Sequence, residues 1–114
     1  MTGTLNRSAF LVRFREPYLE WASSIDSEAP SHLQSYKDNV SVYLVSEDPK
    51  GVNESAPLKG YYEKIFENEL ETWCPDDSRW PQKRTFKMFN EWFNITVQGI
   101  VTDLENRPLE AEDL

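Results

Sequence analysis

The feature that most constrains the fold is a long amphipathic segment near the middle of the chain. Between Pro57 and Trp73 the large apolar residues recur at helical spacing: Leu58, Tyr62, Ile65, Phe66, Leu70 and Trp73. Charged and amide residues fill the other positions: Glu63, Lys64, Glu67, Asn68 and Glu71. The pattern predicts an α-helix with one apolar side, which Pro75 prevents from continuing. Such a helix must pack against a second layer.

Three other segments alternate as strands do. Residues 8–15 have an apolar side and a mixed side: Phe10, Val12 and Phe14 against Leu11, Arg13 and Arg15. Residues 40–45 alternate in the same way: Val40, Val42 and Leu44 against Ser41, Tyr43 and Val45. Residues 95–104 change phase at Gly99, which predicts a β-bulge in a long, bent last strand.

Two shorter helices complete the predicted elements. Pro17 suits the first turn of a helix over residues 18–24, and Thr85 can cap a helix over residues 86–93. Residues 74–83 are predicted to form a loop anchored by burial of Trp80. The segment 27–39 reads mostly as a connection, in which Ser31 and Gln34 resemble a capping box.

The order strand, helix, strand, helix, helix, strand predicts an α+β domain over residues 1–104. Its small, largely antiparallel sheet of about three strands would carry helices on one face, and residues 105–114 would form an acidic, flexible tail. The other face would be solvated or paired with a second copy. Six residues are expected to line that face: Arg13, Arg15, Ser41, Tyr43, Thr96 and Gln98.

Charge and composition indicate the partners and the compartment. Twenty acidic and twelve basic residues give a net charge of −8, which disfavours binding to nucleic acid or anionic membranes and favours a basic partner. Apolar runs are too short for a membrane span or a signal peptide, and the single Cys74 excludes an intramolecular disulfide. These features predict a cytoplasmic protein.

No residue pattern points to catalysis, a cofactor or a metal. His32 is the only histidine, and Cys74 lies beside two aspartates that would raise the pKa of its thiol. The four glycines are too scattered to cradle a phosphate, and no serine stands in a nucleophile elbow. The acids of the long helix fit a solvated helix face. We therefore predict no catalytic, cofactor or metal residues.

Aromatic residues are densest in the second half of the chain: Trp73, Trp80, Phe86, Phe89, Trp92 and Phe93. Core packing is the simpler interpretation, and a partly exposed groove is the alternative. With Arg13, Arg15 and Tyr43 they form the candidate interaction or pocket surface.

The second half of the chain also carries a resemblance. It rests on four segments: Glu67-Asn68-Glu69-Leu70-Glu71-Thr72-Trp73, Ser78-Arg79-Trp80-Pro81, residues 86–93 and Val101-Thr102-Asp103-Leu104. Together they resemble small, acidic, stand-alone bacterial proteins of unknown function, of the kind also carried as mobile, integron-type gene cassettes. The resemblance implies a bacterial, single-domain, cytoplasmic protein and assigns no activity.

Three hypotheses for the function follow from the sequence. The first is a non-enzymatic protein–protein interaction module, with a homodimer as one form. The second is an acidic inhibitor, immunity-type protein or nucleic-acid mimic that binds a basic partner. The third is a small-molecule-binding domain or small enzyme with an aromatic-lined pocket.

Overall fold

A computed structural model describes residues 3–29, 40–46 and 55–111, and in the last of these ranges the side chains from residue 58 onward. The five strands are β1 (Gly3–Thr4), β2 (Arg7–Phe14), β3 (Ser41–Ser46), β4 (Phe93–Gln98) and β5 (Thr102–Asp103). The helices of these residues are α1 (Glu16–Ile25), α2 (Ser55–Trp73) and α3 (Phe86–Trp92), with a 3₁₀ turn at Asp77–Arg79. The predicted α+β class is confirmed.

The central sheet has three antiparallel strands in the order β3-β2-β4. β1 and β5 form a separate antiparallel pair; β1 was not predicted, and the prediction of one continuous last strand over residues 95–104 is wrong, because β4 ends at Gln98 and β5 begins at Thr102. Thr4 pairs with Thr102 and Ala9 with Gln98, so four residues, 5–8, lie opposite three, 99–101. The chain is therefore irregular at Gly99 as predicted, but the irregularity separates two strands instead of bending one, and the extra residue lies between Thr4 and Ala9.

The helices pack on one face of the sheet, which we call the inner face. Strands β2 and β4 contribute Phe10, Val12 and Phe93 to the core. The helices contribute Tyr18 and Ala22 from α1, Leu58, Ile65, Phe66 and Leu70 from α2, and Phe89 from α3. The predicted apolar side of α2 is the side that is buried, and the helices cover a single sheet face as predicted.

Local signals explain where the two short helices begin. Thr85 Oγ1 accepts a hydrogen bond from the Met88 backbone N–H at 3.1 Å, so the predicted cap of α3 is present. Pro17 lies in the first turn of α1, where its missing N–H is not needed. The backbone N–H of Arg15 donates to Trp92 O at 2.7 Å and connects the start of α1 to the end of α3.

The predicted faces of β3 are wrong. Val45 is only 6% exposed, and the side chains of Ser41 and Tyr43 are bonded to α2 on the inner face. Val42 and Leu44 lie on the opposite, outer face. By contrast, the predicted sides of β2 are confirmed.

Some predictions concern residues that the structure does not describe. His32 and the predicted helical turn at Ser31 lie outside the described residues. Among the described residues, no helix combines the length and the apolar character needed to cross a membrane.

Candidate functional site

The outer face of the central sheet forms four rows of side chains across the strands. The pairing places Leu44, Ala9 and Gln98 in one row and Val42, Leu11 and Thr96 in the next. A row with Arg7 and Ser46 lies beyond the first, and a row with Arg13 and Asn94 lies beyond the second. The outer face thus has two apolar rows between two arginines.

Two apolar side chains of this face are open to solvent. Val42 is 61% exposed and Leu44 is 44% exposed, beside the half-buried Leu11. Scattered apolar residues are normal on protein surfaces, but neighbouring ones on one face form a patch. The three strands also contain no acidic residue, although the chain has twenty. The outer face is therefore an apolar and basic surface on an acidic protein.

The orientation of β3 follows from one carboxylate on α2. Tyr43 Oη donates to Glu69 Oε2 at 2.6 Å, and Ser41 Oγ lies 3.0 Å from Oε1 and 3.1 Å from Oε2. Asn68 Nδ2 donates in turn to Tyr43 Oη at 2.8 Å. Ser41 and Tyr43 must face α2 to make these bonds. Because strand side chains alternate, Val42 and Leu44 then face away from the core.

A second tyrosine completes this polar cluster. Tyr18, from α1, donates its hydroxyl to the backbone carbonyl of Glu69 at 2.7 Å. Tyr18 is 5% exposed, so its hydroxyl needs a partner inside the protein. The backbone and the side chain of Glu69 therefore connect α2 to both α1 and β3.

Burial governs the electrostatics of this cluster. It raises the pKa of the Glu69 carboxyl, and the hydrogen bonds from Tyr43 and Ser41 offset only part of that effect. Burial, followed by the hydrogen bond to Glu69, also raises the pKa of Tyr43. Burial, followed by the charge of Glu69, raises the pKa of Tyr18. Both phenols therefore stay protonated as donors to Glu69 at physiological pH.

A second contact from α2 lies at the other end of β3. Hydrogen bonds from the side chain and the backbone of Ser46 lower the pKa of Tyr61, which lies two turns before Glu69 on the helix. Helix α2 thus contacts both ends of β3 through polar groups. The orientation of the strand depends on the contact at Ser41 and Tyr43, because Ser46 lies in the outer-face row with Arg7.

The six aromatic residues singled out in the sequence belong to the core and its border. Phe89 and Phe93 are 0% and 1% exposed, and the other four are half-buried against them: Trp73, Trp80, Phe86 and Trp92. The ring centroids of Phe66 and Phe93 are 5.3 Å apart, edge to face. The prediction of core packing agrees with this placement.

Indole groups tie the loops to this core. Trp80 Nε1 donates to Cys74 O at 2.7 Å, so Trp80 anchors its loop as predicted. Trp73 Nε1 donates to Ala22 O at 3.3 Å, which joins α2 to α1. Arg84 binds Glu67 at 2.9 Å and lies 5.9 Å from the ring centroid of Trp80. These polar groups therefore serve contacts within the protein.

The remaining predicted surface residues divide between two places. Arg13 lies on the outer face as predicted, with Thr96 and Gln98, and Arg15 follows the end of β2 at the start of α1. Tyr43 was expected on the outer face and instead binds Glu69 on the inner face. It is therefore removed from the candidate surface, because its hydroxyl is used inside the domain.

Sequence reasoning missed Val42, Leu44 and Arg7 as surface residues and Glu69 as the residue that orients β3. One signal was present: Glu69 stands four residues after Ile65 and four before Trp73, in line with two apolar residues of α2. An acid on the apolar side of a helix indicates a polar partner in the sheet against which that side packs. The polar side of β3, with Ser41 and Tyr43, supplies it.

Comparisons with known proteins add no further constraint on this face. The resemblance to small acidic bacterial proteins therefore stays a prediction. The chain matches no protein-family model, no curated protein and no solved structure.

Proposed function

We propose that this chain is a non-enzymatic protein–protein interaction module that binds a second copy of itself through the outer face of its sheet. One observation carries the proposal: Val42 and Leu44 are exposed side by side on a face that lacks acidic residues. Apolar side chains with arginine, and without lysine or carboxylates, are typical of the central part of protein interfaces. The burial of Phe89 and Phe93 in the core gives the aromatic-pocket hypothesis no comparable support.

Charge complementarity favours a second copy as the partner. The outer face carries Arg7 and Arg13, whereas the whole chain has a net charge of −8. The rest of the same chain is therefore strongly acidic. An acidic region of one copy placed against the outer face of another gains electrostatic attraction, whereas a basic partner would meet two arginines there.

The size of the outer face limits how tight this contact can be. Three strands span about 10 Å between the outer two, and six residues span about 20 Å along a strand. Such a face is well below the roughly 800 Å² that each partner buries in a standard interface. We expect a weak, concentration-dependent dimer unless the second copy contributes further contacts.

Sedimentation velocity over a concentration series tests the proposal. We expect the wild-type chain to change from monomer to dimer as concentration rises, and Leu44→Arg to shift this transition at least about tenfold upward. Glu71→Arg, on the exposed side of α2, is the matched control and should leave it unchanged. A wild-type chain that stays monomeric at millimolar concentration, or a dimer unaffected by Leu44→Arg, would contradict the proposal.

A further inference from the structure

The segment after β4 is the other exposed apolar region of the described chain. Ile100 is 81% exposed, Leu104 is 74% exposed and Leu109 is 65% exposed. Acidic side chains alternate with these residues: Asp103, Glu105 and Glu110. Residues 104–111 contain no helix or strand. This segment, residues 100–110, is called the C-terminal segment below.

Helix α2 and the C-terminal segment are two acidic regions among the described residues that could contact the outer face. Helix α2 exposes Glu63, Glu67 and Glu71, but its large apolar residues are buried or half-buried on the other side. The C-terminal segment exposes both carboxylates and large apolar side chains. Of these two regions, the C-terminal segment matches both properties of the outer face, because apolar contact needs apolar groups on each partner.

We propose that the C-terminal segment of one copy lies across the outer face of a second copy, and that two copies exchange these segments reciprocally. This proposal rests on the self-association proposed above and names the part of the partner that makes the contact. Leu104 and Leu109 cover Val42, Leu44 and Leu11, and carboxylates of the segment lie near the arginines at the two ends of the face. Reciprocal exchange closes the assembly as a two-fold dimer.

The dimensions of the two surfaces agree. Arg7 and Arg13 are six residues apart on β2, about 20 Å along an extended strand. Asp103 and Glu110 are seven residues apart, at most about 25 Å when extended. The segment therefore spans the distance between the two arginines with its leucines between its acids. The exposure of Leu44 shows that the segment of the same copy does not cover it.

The free segment already has some local order. The backbone N–H of Glu105 donates to Asp103 Oδ1 at 2.8 Å, which turns the chain just after β5. Asp103, Glu105, Pro108, Leu109 and Glu110 line a shallow cleft together with Arg107. The contact with a second copy must open this cleft, and the single arginine leaves the segment with a net negative charge.

A charge-exchange experiment tests this arrangement. One variant reverses the face (Arg7→Glu with Arg13→Glu), and another reverses the segment (Glu105→Arg with Glu110→Arg). All four residues are exposed, so folding should be retained, and circular dichroism checks this. We expect each variant alone to dimerise at least about tenfold more weakly than wild type, because the reversed face then meets an acidic segment, and the reversed segment brings two positive charges to the arginines of the face. An equimolar mixture should restore dimers.

The outcomes separate this proposal from the more general one. Restoration in the mixture supports segment exchange, since the reversed face of one variant then meets the reversed segment of the other. A segment-reversed variant that dimerises like wild type, while Leu44→Arg does not, overturns segment exchange and leaves self-association through the outer face intact. A wild-type chain that stays monomeric overturns both. Leu104→Ser with Leu109→Ser should weaken the dimer without changing its charge.

Discussion

The two faces of the central sheet differ most along one strand. On β3, Val45 is 6% exposed on the inner face, whereas Val42 is 61% exposed on the outer face. Both residues are valines in the same strand, so side-chain hydrophobicity does not decide which one is buried. The difference lies in their neighbours, Ser41 and Tyr43, which bind Glu69.

Magnitudes explain why this orientation is preferred. Turning β3 over would bury most of Val42 and Leu44, which is worth about 1.5–3 kcal/mol for each side chain when fully buried. The same change would expose Val45 and leave the partly buried Glu69 carboxylate without its donors. Removing the partners of a buried charge costs about 3–5 kcal/mol. Because Val45 is exposed in exchange, the net apolar gain is that of about one side chain, roughly 1.5–3 kcal/mol, and the polar bonds of one acid outweigh it.

Substitutions in the core, which lies against the inner face, are expected to cause the largest loss of stability. Phe66 is 0% exposed, and the centroid of its ring lies 5.3–5.9 Å from the ring centroids of Phe89, Trp92 and Phe93. Phe66→Ala should lower the free energy of unfolding by about 3–5 kcal/mol, because it leaves a cavity. Urea denaturation measures this.

The control for that comparison lies on the outer face. Leu44→Thr in the monomer should change the free energy of unfolding by less than about 0.5–1 kcal/mol, since Leu44 is already 44% exposed. Equal losses for Phe66→Ala and Leu44→Thr would contradict the distinction between the two faces.

An intermediate effect is expected at Glu69. Glu69→Ala leaves the hydroxyls of Ser41 and Tyr43 without their acceptor, so it should cost about 2–3 kcal/mol in urea denaturation at pH 7. Glu69→Gln retains an amide oxygen as acceptor and should cost clearly less. If the two variants lose the same stability, hydrogen bonding to Glu69 is not what orients β3.

The sequence predicted those parts of the molecule that depend on local pattern. The class, the order of the three sheet strands and the three helices, the apolar side of α2 and the Thr85 cap all follow from spacing within one segment. The short strands β1 and β5 were not predicted as separate elements. The faces of β3 were predicted wrongly, because both sides of that strand carry apolar residues. A contact with Glu69, twenty-six residues beyond Tyr43, decides between the two sides. Local periodicity does not contain such a contact.

The same reason explains why the candidate site was found only in part. Arg13, Thr96 and Gln98 were expected on the open face because the phases of β2 and β4 are clear. Val42 and Leu44 were assigned to the core because they are apolar. Glu69 binds the other side of β3 and so places Val42 and Leu44 on the outer face. The residue pattern within a single segment does not contain this contact.

The smallest expected effect concerns the pH dependence of Glu69. Burial raises the pKa of its carboxyl above the ordinary value of 4.5, so the folded protein holds this proton more tightly than the unfolded chain does. The resulting stabilisation is complete below the unfolded pKa and is lost as pH rises through the folded pKa. Glu69→Gln does not titrate. The unfolding free energy of the variant minus that of wild type should therefore increase between pH 4 and pH 7.

Urea denaturation of both proteins at several pH values measures this difference, and the other titrating groups, which the two proteins share, largely cancel. Tyr18 and Tyr43 do not interfere, because their raised pKa values lie far above this range. A difference that falls as pH rises would mean that the hydrogen bonds from Ser41 and Tyr43 stabilise the ionised carboxylate by more than burial costs it. The ionised form of Glu69 would then stabilise the fold. The orientation of β3 that exposes Val42 and Leu44 would be most stable at neutral pH, where Glu69 is ionised.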